Sequence, residues 1–231
     1  MTNNRFPIPR ITRRLFMNYN TVIFDLDGTL LNTLDDLCDS TNYALSSHGL
    51  PVRTLSEVKS FVGNGVRLLI ERAVPAGTSI ETIDSVYHTF KDYYKDHMKD
   101  KTGPYDGIIQ LLTRLKERNV RTAIVSNKYD AAVKQLASDY FDGLVMEAIG
   151  ESPLIPKKPA PDSVFAALDR LNSTKEHCLY VGDSDVDMKT AHNAGVTGVG
   201  VTWGFRDRDC LISNGAVHII DEPMELLALL D

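Results

Sequence analysis

At 231 residues, 43% of them hydrophobic, the chain can bury a substantial core, either as one large domain or as a core with a smaller companion. A formal net charge of -6 with no long basic stripe argues against a nucleic-acid partner, and the lack of any apolar run near the ~18 residues of a membrane span argues against a membrane. Cys38, Cys178 and Cys210 are scattered and form no C-x-x-C pair, which sets aside a disulfide framework or thiolate zinc site and fits a reducing, cytoplasmic setting.

Residues 1–18 carry Arg5, Arg10, Arg13 and Arg14 and no acidic side chain, and read as a flexible extension ahead of the core. Thr21-Val22-Ile23-Phe24 is short, apolar and β-branched, and it breaks at Asp25-Leu26-Asp27-Gly28 as a buried parallel strand would. From Asn32 to Thr102 the apolar spacing is helical, which predicts an all-helical cap domain over residues 32–102, with helices near Leu34–Ser47, Leu55–Ala73 and Ile80–Met98. The core resumes near Gly103 and takes up residues 19–31 and 103–231. Asp106 is placed to cap a helix with Ile108, Leu111, Leu112 and Leu115 on one face. Thr122–Val125 is the next strand. Pro161 then opens a helix with Val164, Phe165, Leu168 and Leu171 inward, before strands at Cys178–Val181, Gly198–Val201 and Val217–Ile220. This alternation predicts an α/β fold built on a doubly wound parallel sheet.

In such a sheet the ligand site lies beyond the carboxyl ends of the strands. Asp25 and Asp27 follow the first strand, Ser126-Asn127-Lys128 follow the second, Lys158 precedes Pro159-Ala160-Pro161, and Asp183, Asp185 and Asp187 follow Val181. Carboxylates gathered there repel one another unless a hard, oxygen-seeking ion such as magnesium neutralises them. Neither acidic run is an EF-hand loop, because Leu30 and Met188 stand where its glycine belongs. Asp185 reads as a solvated loop residue, Arg67 as a helix charge or an anion contact, and Tyr93-Tyr94 as packing.

Four segments, in order, resemble the motifs of the haloacid dehalogenase superfamily. They are Asp25-Leu26-Asp27-Gly28-Thr29, Ser126 at a strand end, Lys158 before Pro159-Ala160-Pro161, and Gly182-Asp183-Ser184 with Asp187. The resemblance implies a Rossmann-like core and an aspartate nucleophile, Asp25, that forms an aspartyl phosphate, with Asp27 as acid and then base. It implies that Thr29, Ser126, the Asn127 backbone and Lys158 hold the phosphoryl oxygens. It also implies Mg2+ on Asp25, the Asp27 carbonyl and Asp183, with Asp187 behind them or bridged by water.

The cap position, Gly63-Asn64-Gly65 and Gly200-Val201-Thr202-Trp203-Gly204 are similar to the phosphoglycolate phosphatase branch, and Asn32 departs from it where many relatives carry aspartate. The resemblance therefore implies a phosphatase for a small anionic phosphorylated metabolite, phosphoglycolate first. A sugar phosphomutase, or a pyrophosphatase or nucleotidase, would share the core residues. A dehalogenase would lack Asp27, and a non-catalytic module would not need Asp25 or Lys158.

Overall fold

The computed structural model describes residues 19–230. The extension read at residues 1–18 lies outside them. After β1 (Thr21–Phe24) the chain turns at Gly28, passes through β2 (Leu31–Asn32), and builds helices α1 (Leu34–Ser47), α2 (Leu55–Phe61), α3 (Val66–Ala73) and α4 (Ile80–His97). It returns through β3 (Gly103–Pro104), α5 (Ile108–Glu117), β4 (Arg121–Tyr129), α6 (Asp130–Phe141), β5 (Glu147–Glu151) and α7 (Asp162–Arg170). β6 (Cys178–Gly182), α8 (Asp185–Ala194), β7 (Thr197–Val201), α9 (Arg208–Ser213) and β8 (His218–Ile220) complete the fold, before a 3-10 segment at Pro223–Leu229.

Six strands pair in parallel in the order β5-β4-β1-β6-β7-β8. β1 lies inside the sheet, and its continuous apolar run is explained by burial on both faces: Val22, Ile23 and Phe24 are all buried. On one face Val22, Phe24, Ile124 and Val181 pack with Ile108, Leu111, Leu112 and Leu115 of α5 and with Val133 and Leu136 of α6. On the other, Ile23, Ala123 and Tyr180 meet Val164 and Leu168 of α7 and Ala191 and Ala194 of α8. The sheet is therefore doubly wound. Among the described residues no helix is long and apolar enough to cross a membrane.

The two passages between the sheet and the four-helix insertion run side by side, because β2 and β3 pair antiparallel with Leu31 opposite Pro104 and Asn32 opposite Gly103. Asp36, buried at the start of α1, accepts from the backbone N–H groups of Lys101 (3.0 Å) and Thr102 (2.9 Å) and ties the outgoing chain to the returning one. Phe90, Tyr94 and Met98 of the α4 region share one apolar cluster with Leu26, Leu31 and Leu37.

Several local features differ from the sequence reading. The single helix read over Leu55–Ala73 is broken at Val62–Gly65, where Gly63 (φ 127°) and Gly65 (φ 85°) adopt backbone angles that a side chain strains. Gly107, not Asp106, precedes α5 in the left-handed conformation, and no side chain caps that helix. Phe165 is 46% exposed while Val164, Leu168 and Leu171 are buried, so the inner face of α7 is narrower than its apolar pattern. β4 runs on through Ser126, Asn127 and Lys128, with an irregular register beyond Val125.

Candidate active site

Asp25 comes directly after β1, with its N–H bonded to Val181 O of β6 (2.9 Å). The chain then doubles back, Leu30 and Leu31 both donating to Leu26 O at 3.0 Å, which holds Asp27, Gly28 and Thr29 at the end of the sheet. The end of β4 supplies Ser126, Asn127 and Lys128, and the end of β6 leads into Asp183.

Lys158 reaches the centre of this group. Its Nζ lies 2.9 Å from Asp25 Oδ1, 2.8 Å from Asp187 Oδ1 and 3.1 Å from the Tyr180 hydroxyl, and the side chain is almost completely enclosed. Asn127 fixes the lysine by its backbone: Asn127 Oδ1 accepts from Lys158 N (2.8 Å), and Nδ2 donates to Lys158 O (3.1 Å). Neighbouring Lys157 turns away to Glu151, at 2.8 Å.

The three carboxylates around the lysine are differently engaged. Asp25 Oδ1 also accepts from Leu26 N at 2.6 Å. Asp183 accepts from Phe205 N (2.6 Å) and from the Thr29 hydroxyl (3.3 Å). Asp187 is wholly buried in a capping box with Ser184, accepting from that residue's N–H and hydroxyl, while its other oxygen takes Lys158 and Tyr180. One oxygen from each of Asp25, Asp183 and Asp187 lies within 4.8 Å of the others, a cluster that could hold a metal ion.

Asp25, Asp27, Ser126, Asn127, Lys158 and Asp183 all border one small cavity of about 50 Å³, room for a handful of water-sized groups. The insertion closes its other side with Leu37 of α1, Val62, Gly63 and Gly65 of the α2–α3 break, and Val66 and Leu69 of α3. Thr29 is buried behind Asp183 and does not border the cavity.

The haloacid dehalogenase-like hydrolase family model matches residues 22–201, from β1 through β7. The chain belongs to the haloacid dehalogenase-like hydrolases. Its relatives in this family include the phosphoglycolate phosphatase of Mesorhizobium japonicum, 33% identical over 83% of this chain and 86% of that protein. The phosphoglycolate phosphatase of Cereibacter sphaeroides is 37% identical over 80% of this chain and 86% of its own length. A solved structure from Lactobacillus delbrueckii subsp. bulgaricus, assigned as a candidate phosphoglycolate phosphatase, superposes with a TM-score of 0.87 at 33% identity, covering 92% of this chain and 98% of that one. This haloacid dehalogenase-like hydrolase is thus a phosphoric monoester hydrolase of the phosphoglycolate phosphatase-like branch.

Electrostatics in this hydrolase follow from burial. Removal from water raises the Asp25 carboxyl well above its ordinary value, Asp187 and Asp183 raise it further, and Lys158 opposes them. Asp183 is pushed up to about 7 by burial and by Asp187, against the Phe205 N–H. Burial alone would lower the Lys158 ammonium, but Asp187 and Asp25 more than reverse that.

Two cations in the site were given no role by the sequence reading. Lys128 is buried with its Nζ 2.7 Å from Asp27 Oδ1 and 4.9 Å from the centre of the Tyr94 ring, so a residue of the sheet joins Asp27 to α4. Arg206 borders the cavity and faces Asp185, which is half-buried. Either cation alone reads as a solvated charge; the signal was its position, Lys128 two residues after Ser126 and Arg206 two after Gly204. Arg67 instead pairs with Glu71 (2.7 Å) and Asp84 on the insertion's surface. Tyr93 stacks between Tyr43 and His97, and exposed Asn32 accepts from Leu34 N at 3.4 Å, away from the cavity.

Proposed function

We propose that the protein hydrolyses a small phosphate monoester with Mg2+, through a phosphorylated Asp25, and that 2-phosphoglycolate is its leading substrate. The observation that carries this reading is the Asp25 carboxylate, bonded to Lys158 at 2.9 Å and clustered with Asp183 at the edge of the small cavity. The donor set suits magnesium. Buried carboxylates balanced by one lysine leave negative charge that a divalent cation can neutralise, and magnesium takes few protein ligands. Asp25, the Asp27 carbonyl and Asp183 would hold it. Asp187 would stand behind them, since Lys158, Tyr180 and Ser184 already occupy its oxygens. When bound, the ion neutralises charge among the carboxylates and the phosphoryl oxygens.

The chain's own residues carry the transfer. An Asp25 oxygen bonds to phosphorus as the ester P–O bond breaks, and Asp27 gives its proton to the departing oxygen. Water then attacks phosphorus, Asp27 takes its proton, and the bond to Asp25 breaks to release phosphate. Ser126, the Asn127 backbone and Lys158 orient and neutralise the phosphoryl oxygens. Thr29, bonded to Asp183, serves by fixing that carboxylate.

In this reading residues 32–102 form a cap over the core of residues 19–31 and 103–231, with paired β2 and β3 as the hinge, and the enzyme works in the cytoplasm. The small cavity and the names of the relatives favour a short substrate. The test is a panel of 2-phosphoglycolate, pyrophosphate, nucleoside monophosphates and sugar phosphates with magnesium, following both phosphate release and sugar-phosphate isomerisation. Phosphate release with highest kcat/KM on 2-phosphoglycolate is expected. Preference for nucleotides overturns the size argument, and isomerisation without release overturns hydrolysis.

A further inference from the structure

The break between α2 and α3 leaves carbonyl groups that no helix satisfies. Phe61 O is taken within the insertion by Arg72 at 2.7 Å. Three neighbouring carbonyls converge on a side chain from the other side of the cavity. Arg206 donates from Nη1 to Lys59 O (3.0 Å) and from Nη2 to Val62 O (2.6 Å) and Ser60 O (3.4 Å). Its Nε stands 4.0 Å from Asp185 Oδ1, and Asp185 is held in turn by Lys189 at 2.7 Å.

The residue before it, Phe205, donates its N–H to Asp183 at 2.6 Å. One dipeptide therefore touches the acidic cluster through its backbone and the α2–α3 break through its side chain. Gly63 and Gly65 make that break pliable, so its position depends on what holds it from outside. The other core side chain bonded there, Asn127 on Gly63 O, acts at a longer 3.4 Å.

We propose that Arg206 is a positioning residue that latches the α2–α3 break, through the carbonyls of Lys59, Ser60 and Val62, against the phosphoryl site and so sets how tightly a short ester is enclosed. The choice of arginine follows from the geometry. A planar fork spans several carbonyls at once, whereas a lysine ammonium has one centre. Water could satisfy the same carbonyls, but it would not connect them to the loop that carries Phe205 and the Asp183 contact. The inference rests on the proposed function for the identity of the site, but the latch itself can be read without substrate.

The experiment compares wild type, Arg206→Met and Arg206→Lys by hydrogen–deuterium exchange without substrate, and by kcat and KM for 2-phosphoglycolate and p-nitrophenyl phosphate. Expected for Arg206→Met are faster exchange at residues 62–66 and a roughly tenfold higher KM for the short ester with a smaller change for the aryl ester, so that selectivity between them falls. Arg206→Lys, which keeps the charge but not the fork, should lie between. A folded Arg206→Met with wild-type exchange and selectivity overturns the latch. If that variant does not fold, wild-type exchange and selectivity in Arg206→Lys overturn it equally. Should wild type hydrolyse neither ester, the functional reading fails, and exchange at residues 62–66 still decides the latch.

Discussion

In the proposed reading Asp183 is the residue at which pH and metal binding meet. Its carboxyl, raised to about 7, titrates near 3.9 in an unfolded chain, so between those values the folded, metal-free protein holds a proton that the unfolded chain has lost. Stability of the metal-free protein therefore falls as pH rises through that window. On the proposed ligand set magnesium must displace this proton and any held by Asp25, whose carboxyl is raised as well, so its half-saturating concentration should drop as pH rises through about 7, by up to about tenfold per pH unit for each proton displaced. Calorimetric melts and magnesium titrations between about pH 5.5 and 8 check both signs, and pH-independent binding would remove Asp183 from the ligand set. Asp25→Asn keeps the side chain's shape but removes the carboxylate proposed as the nucleophile. Turnover should fall by about three orders of magnitude or more with the melting temperature retained, as phosphate release and a thermal melt will show. Asp25, Ser126, Lys158 and Asp183 were legible because their order and strand-end positions make one pattern. Lys128 and Arg206 were not, since a lone cation acquires meaning only from partners such as Asp27 or Val62 O that are far away in the chain.

At the scale of elements, the loop after β7 shows how closely backbone must approach this site. A Cβ on Gly204 would stand 2.3 Å from Asp183 Cβ and 2.4 Å from Gly28 O, and neither is the yielding end of a side chain. Gly204→Ala should therefore cost about 1–3 kcal/mol in urea unfolding and blunt the magnesium response, because it displaces Asp183. Gly77→Ala is the contrast. Nothing lies within 4 Å of a Cβ there, so only its φ of +83° is penalised, about 1–2 kcal/mol, with activity kept. β1, β6 and β7 were readable because apolar runs mark buried parallel strands. β5 was not, since Glu147-Ala148-Ile149-Gly150-Glu151 has acidic ends and an internal glycine, and β4 supplies the ladder that makes it a strand. The break between α2 and α3 was only half legible: Gly63-Asn64-Gly65 is a turn signal, but helical spacing continues on both sides of it, and the backbone angles decide for the interruption.

For the whole molecule, every residue assigned to the site lies from Asp25 onward, and β1 begins at Thr21. Removal of residues 1–16 should leave kcat/KM within about twofold of wild type, since every residue assigned to the site and every strand of the sheet lies beyond them. A large loss in a folded truncation would tie that segment to catalysis. The strand order has a further consequence, for the time at which activity can begin. β1 is synthesised well before both of its neighbours, since Thr21 pairs with Arg121 on one side and Cys178 on the other. Contacts so distant in the chain close slowly, because a long loop must be ordered before they repay it. Until the ribosome has passed β6, β1 has an open edge and a row of unpaired backbone groups that another chain could join. Asp25 is thus made before the strand that completes its surroundings, and on the proposed mechanism a newly made chain stays catalytically silent until Asp183 and Asp187 have emerged and the sheet has closed around β1.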